Sequence, residues 1–283
     1  MATRQVTEEE VQQYQEDGAV CLRQAFDPNW VSVVTAGVER NIAEPSAYAG
    51  TLKANEGDQG GFFDDYCNWT RIPEFNRFVY ESPAAEMVAR LMKSESVVFY
   101  HEHLLVKWPG THKKTPWHHD QPYYPVDGYQ NCSLWMPLDP VRKEACVRFV
   151  RGSHNWGRWF VPRKFASEQN YPLLNANESP TIKGVTLEDV PTISQHPNDY
   201  EILSWDMEPG DVIAFHMLAL HGADGNQSLT VPRRALATRW LGDDARFAER
   251  PWEISPSATG GLKPGDPMAC ALFPQVWPQA HGR

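Results

Sequence analysis

Three things are scarce in this 283-residue sequence, and each shortage closes off a class of protein. Positive charge is short: 26 Lys and Arg stand against 36 Asp and Glu, for a net charge of -10. Proteins that grip nucleic acid or an anionic membrane surface usually show a basic face, so neither partner is expected. Paired cysteines are missing. Cys21, Cys67, Cys132, Cys146 and Cys270 are odd in number and widely spaced, with no CxxC. That pattern fits reduced thiols in a cytoplasmic protein better than a disulfide or zinc framework. Long apolar runs are absent, since no stretch approaches the ~18 residues that cross a bilayer. Met1–Arg4 lead into polar sequence without the apolar core of a signal peptide. Ala2 replaces the glycine that myristoylation needs, and Ala280–Arg283 form no peroxisomal address. A cytoplasmic protein is expected, its oligomeric state left open. The chain also lacks internal repeats and low-complexity runs.

Aromatic side chains are abundant, with 11 Trp, 10 Tyr and 12 Phe, enough to line a pocket. Thr7 and Glu10 form a capping box and Gly18 a stop, predicting a helix over roughly 8–17. Asp27-Pro28 starts a second helix, with Val31, Val34, Val38 and Ile42 at helical spacing. Ser82-Pro83 repeats the signal, with Met87, Val88 and Leu91 as its buried stripe. Residues 45–70 read as a long loop.

From Val97 the pattern turns to short strands: Val97–Tyr100, His103–Lys107, Ser133–Leu138, Cys146–Val150, Val212–Leu220 and Leu236–Leu241. Strands following a helical portion predict an all-β core with appended helices, as an antiparallel sandwich or barrel. Residues 161–200 form a long insertion. The tail from about 245, rich in Pro and Gly, is expected to wrap the core.

The chemistry concentrates in Trp117-His118-His119-Asp120-Gln121. On an extended segment His118 and Asp120 point the same way. With one more ligand from a distant strand they make two imidazoles and a carboxylate, a set that suits non-haem iron(II) enzymes activating O2. His216 and His221 are candidates for the third. Five residues apart on one continuous strand, they face opposite sides. His221, at the strand's end before Gly222, is the choice, and His216 is left as a core imidazole.

The order His118-x-Asp120, then His221-Gly222 and Arg233-Arg234-Ala235, resembles the phytanoyl-CoA dioxygenase family. Leu134–Asp139, Glu144–Val147 with Gly152-Ser153-His154, and Glu208–Val212 through His216 are similar to other stretches of that family. The likeness covers roughly residues 8–245. It departs in lacking the usual Asn-Gly after Glu144 and in placing Arg151 where the family has Pro.

The resemblance implies a double-stranded β-helix (a cupin-like jelly roll) forming one oxygenase domain over 1–283. Its parts would be a mainly helical portion (1–94), a jelly-roll core (95–245) and a C-terminal wrap (246–283). It implies Fe(II) held by His118, Asp120 and His221, with 2-oxoglutarate as co-substrate and O2 as oxidant. Arg233 would pair the carboxylate of 2-oxoglutarate through its bidentate fork, with Arg234 facing away. Asn131, Ser133 and Trp135 alternate on one face, and Trp135 is implied to lie against the co-substrate. His119, Gln121, Tyr123 and Tyr124 flank the motif as pocket candidates. Halogenating members carry a small residue at the carboxylate position, so Asp120 points to hydroxylation or a related oxidation of a small molecule.

The seven basic residues within 142–164 suggest an anionic substrate, with Arg148 and Arg151 reaching inward. The alternative is a cupin-like metal-binding protein or metal-dependent isomerase that does not use O2.

Overall fold

The computed structural model describes residues 4–55 and 60–278, so the extreme termini discussed above lie outside it, as does part of the 45–70 stretch. Two antiparallel sheets make the jelly roll. The larger has eight strands. Its order runs Ala19–Leu22, Val212–Phe215, Asn131–Pro137, Arg233–Leu241, Val97–Lys107, Phe62–Tyr66 and Gly50–Leu52, with Gln275–Trp277 also pairing onto Val97–Lys107. The smaller runs Ile202–Leu203, Arg148–Val150, His221–Ala223, Thr115–His118.

Strand alternation sorts the large sheet into two faces. Leu134, Met136, Leu236, Trp240, Phe99 and Val106 point outward and are sealed by the helices Pro28–Ala43, Pro73–Glu81 and Ala84–Met92 through Val34, Val38, Phe75, Phe78 and Leu91. Trp240 is fully buried with Phe99 edge-on at 4.8 Å. Truncating such a side chain to Ala costs ~3–5 kcal/mol. Trp135 and Ala237, their alternates, face the interior cavity.

The first helix, Glu8–Asp17, begins with the capping box Thr7–Glu10 and ends at Gly18 with φ +79°. A Cβ there would fall 2.4 Å from His154 Nδ1, so glycine is required sterically as well as conformationally. Asp27 caps Pro28–Ala43 by accepting Trp30 N–H at 3.0 Å.

Several expectations need correction. The 45–70 stretch contains the strands Gly50–Leu52 and Phe62–Tyr66, and the helix Pro73–Glu81 was not anticipated. Val97–Lys107 is one strand, not two. Its polar centre read as a break, but Glu102 is buried and accepts the backbone N–H groups of Asn68 and Trp69. Val212–Leu220 is not a continuous strand either. Val212–Phe215 belongs to the large sheet, the chain turns through 216–220, and His221–Ala223 joins the small one. The 161–200 insertion carries the two-residue strands Thr181–Ile182 and Val185–Thr186. In the tail, Arg246–Phe247 pairs with Val126–Asp127. Among the described residues no helix is long and apolar enough to cross a membrane.

Candidate active site

His118 ends one strand of the small sheet, His221 begins its neighbour, and the two are direct cross-strand partners. Their rings lie 4.1 Å apart between centroids. Asp120, two residues past the strand's end, turns back so that its Oδ1 is 3.5 Å from His118 Nε2 and 3.7 Å from His221 Nε2. The donor atoms of all three lie within 4.8 Å of one another, and all three residues are buried.

Each imidazole is fixed by its own chain. His118 Nδ1 donates to Pro116 O at 2.8 Å and His221 Nδ1 to Ala219 O at 2.9 Å. Those bonds place the ring protons on Nδ1 and turn both Nε2 lone pairs toward Asp120. Burial, with His118 alongside, pushes His221 down to about 3. Burial alone would raise the Asp120 carboxyl. The Arg239 cation outweighs it and holds Asp120 well below the usual carboxylate range. Two imidazoles with Nε2 turned inward and a carboxylate held by Arg239, all buried, fit a divalent transition metal.

Arg239 was not anticipated. Its Nη2 donates to Asp120 Oδ2 at 3.2 Å and its Nη1 to Ala237 O at 3.0 Å. Ser133 Oγ adds a longer bond to the same Oδ2, at 3.4 Å. A sequence signal existed: Arg239 lies six residues after Arg233 on one strand, hence on the same face.

The triad opens into a cavity of about 540 Å³. Trp135, Tyr123 and Tyr124 line it, and so does Arg233. Arg233 is buried and donates to Ala145 O, and burial pushes it down to about 10. Its cross-strand partner is Lys107, also buried, whose Nζ donates to Asp224 O at 2.9 Å. Burial, then Arg233, lowers Lys107 well below its ordinary range. Among the described residues neither cation pairs with a carboxylate. Their acidic neighbour Asp224 is itself engaged by Arg148 (2.8 Å) and Lys114 (3.1 Å). Arg233, a buried cation that faces the cavity without a carboxylate partner, makes a site for an anionic group. Arg234, pointing the other way, grips Asp139 with a fork at 2.8 and 3.0 Å.

The remaining expected residues separate into wall and scaffold. Tyr123 is wall, its hydroxyl clasped to Arg163. Gln121 and Asn131 are scaffold: Asn131 Nδ2 donates to Gln121 Oε1, Gln121 Nε2 to Gly128 O, and Asn131 Oδ1 accepts Met217 N–H. They tie the loop carrying Asp120 to the turn before His221. His119 faces Phe160 and accepts its N–H at 2.9 Å. His216 is a satisfied core imidazole bonded to Leu218 N–H and Tyr129 O.

The basic run does not reach inward. Arg151 is tied to Asp17 and Glu201 on the surface, and Arg148 pairs with Asp224 while lying over the Trp117 ring. Neither lines the cavity, because acids brought up from distant sequence neutralise both. The insertion contributes instead through 163–166. Phe165 stands 4.7 Å from the His118 ring.

A jelly roll carrying two histidines and an aspartate at one mouth of its sheets, beside a buried arginine, defines the class. A model of the phytanoyl-CoA dioxygenase family (PhyH) matches residues 14–235, and the chain belongs to that family. A probable phytanoyl-CoA dioxygenase of Caenorhabditis elegans is 23% identical over 185 residues, 64% of this chain. The chain spans about half (51%) of that relative's length.

Among solved structures, SnoK from nogalamycin biosynthesis, a non-heme alpha ketoglutarate dependent carbocyclase, has a TM-score of 0.70 at 22% identity, covering 96% of each chain. The epimerase SnoN, solved with Fe3+, alpha ketoglutarate and nogalamycin RO, gives 0.71 at 17% identity over 95% of this chain and 98% of its own. EctD from S. alaskensis, with 2-oxoglutarate and 5-hydroxyectoine, gives 0.63 at 17% over 93% and 85%. At these identities the likeness establishes the fold.

Proposed function

We propose that the protein is an Fe(II)- and 2-oxoglutarate-dependent oxygenase acting on a C–H bond of a small organic molecule. The observation that carries this reading is the triad itself: two Nε2 lone pairs and one held carboxylate, converging where the cavity also meets an unpaired buried arginine. Iron would be held by His118, His221 and Asp120, and the remote carboxylate of 2-oxoglutarate by Arg233, with Trp135 along the wall between. The chemistry such a centre supplies when bound is O2-driven two-electron oxidation of the substrate, with 2-oxoglutarate leaving as succinate and CO2. The chain's own residues do the rest. Pro116 O and Ala219 O orient the imidazoles, Arg239 and Ser133 fix the carboxylate, and Phe165 and Tyr123 shield the His118 side from water. The bound iron and alpha ketoglutarate of SnoN and the 2-oxoglutarate of EctD support the same assignment for a shared fold.

The test is succinate release. Turnover should require Fe(II), 2-oxoglutarate and O2 together, and His118→Ala, Asp120→Ala or His221→Ala should each abolish it. Under anaerobic conditions Fe(II) with 2-oxoglutarate should give the weak visible band of a chelate. Arg233→Ala should weaken 2-oxoglutarate binding at least about tenfold, as loss of a charge-assisted pair implies, while metal binding persists. Full turnover in a triad variant, or no chelate band, overturns the assignment and favours a cupin-like protein that does not use O2.

A further inference from the structure

Beyond the triad the cavity changes character. Exposure of its lining rises from 4% at His118 to 42% at Tyr48, so the Tyr48 end is the mouth. Along the way the strand Val97–Lys107 presents His101 and His103, two apart and on one face, and its neighbour Phe62–Tyr66 presents Asp64 and Tyr66. His103 Nε2 lies 3.0 Å from Asp64 Oδ2. A carboxylate oxygen accepts, so Nε2–H faces Asp64, and in that tautomer Nδ1 is the acceptor left for a ligand. Deeper in, His101 is 2% exposed and its Nδ1 has no partner among the described residues.

The surroundings are flat and aromatic. Tyr48 stacks on Tyr66 at 4.8 Å, Tyr66 meets His103 edge-on at 5.3 Å, and Tyr171 stands edge-on to Tyr123 at 5.4 Å. Arg163 and Lys164 also line the cavity; Arg163 Nη2 donates to Val190 O, while its Nε has no hydrogen-bond partner among the described residues.

We propose that His103, held by Asp64, is the specificity-determining residue of the outer cavity. The substrate class is then a hydroxyl-bearing ring compound whose hydroxyl donates to His103 Nδ1 while its ring lies among Tyr48, Tyr66 and Tyr171. An imidazole whose Nε2–H is spent on Asp64 turns Nδ1 to a donor, and the aromatic walls select a flat apolar face. The reaction at the far end rests on the oxygenase reading, but the recognition does not.

The test is therefore direct binding. Equilibrium dialysis of the metal-free protein compares 2-naphthol with its methyl ether, 2-methoxynaphthalene, which keeps the ring and loses the donor. Wild type should hold the naphthol roughly tenfold tighter, the range of one well-made hydrogen bond in a shielded site. His103→Phe keeps a ring and removes the acceptor. It should abolish the preference while leaving ether binding within about twofold. Asp64→Asn, which no longer enforces the tautomer, should reduce the preference without eliminating ring binding. Equal binding of the two probes by wild type, a preference that survives His103→Phe, or no binding of either overturns the proposal. The affinity for 2-oxoglutarate with Fe(II) is measured anaerobically on the same preparations. Its loss in wild type sinks the oxygenase reading and leaves the naphthol result to stand or fall separately.

Discussion

Arg239 Nη2 lies 3.2 Å from Asp120 Oδ2, across 119 residues of sequence, and this contact lets a buried carboxylate stay ionised beside two imidazoles. It leaves Asp120 Oδ1 directed at His118 and His221. Arg239→Gln keeps a polar side chain and removes the charge. Partners of metal-binding carboxylates typically contribute ~10–100-fold in metal affinity. Calorimetric titration with Fe(II) or Co(II) should show a loss in that range, partly restored by Arg239→Lys. An unchanged affinity would refute a positioning role.

A second relationship concerns acid stability. His216 Nδ1 accepts Leu218 N–H at 3.0 Å, so Nε2 carries the proton and donates to Tyr129 O at 2.8 Å. Burial, then His154, pushes this imidazole from 6.5 down to about 3. Between those values the unfolded chain binds a proton that the folded chain refuses. Stability is therefore complete above pH 6.5 and is lost as pH falls toward 3, at up to about 1.4 kcal/mol per pH unit. Buried His119, pushed down to about 4, acts in the same direction. His216→Asn can accept the same N–H without titrating. Its melting temperature should fall less between pH 7 and pH 5 than that of wild type. Parallel curves would count against the assignment.

How much of this was readable beforehand depended on the range of the interactions. The capping box at Thr7 and the pairing of His118 with Asp120 are local, set by helix-start chemistry and strand alternation, and both were legible. Arg239 was legible in principle by its parity with Arg233. His221 was selected on the premise that it shared a strand with His216. The chain instead turns at 216–220 and changes sheets, a tertiary event that periodicity cannot register. The basic run misled for the same reason. Whether Arg151 points in or out is decided by Asp17, 134 residues away. The strand Phe62–Tyr66 hid among glycines and polar residues because its hydrogen bonds come from Val97–Lys107.

The clasp between Tyr123 and the insertion gives a third prediction. The Tyr123 hydroxyl donates to Arg163 O at 2.6 Å and accepts Arg163 N–H at 2.8 Å, holding 163–166 over the cavity. Tyr123→Phe keeps the ring and removes both bonds, each contributing ~1 kcal/mol. Amide exchange within 163–166 should quicken by up to about thirtyfold while the strands of the large sheet keep their protection. Uniform change across the molecule, or none, would count against the clasp.

The last prediction separates two arginines that sequence alone grouped together. Arg151 is about half exposed and lies between Asp17 and Glu201. Exposed pairs contribute ~0–1 kcal/mol, so Arg151→Ala should leave KM for both substrate and 2-oxoglutarate unchanged. Arg148 differs because of what it holds. Its Nη2 is 2.8 Å from Asp224, the acid that neighbours both Arg233 and Lys107. Removing Arg148 frees one side of that carboxylate, which then competes for Arg233 with the incoming co-substrate. Arg148→Ala should therefore raise KM for 2-oxoglutarate several-fold and leave KM for the organic substrate within about twofold. The double variant Arg148→Ala/Asp224→Asn, lacking the competing charge, should recover most of the loss. Steady-state assays of succinate release, varying one substrate at a time, decide it. A rise confined to the organic substrate would return Arg148 to the substrate side and sink this assignment.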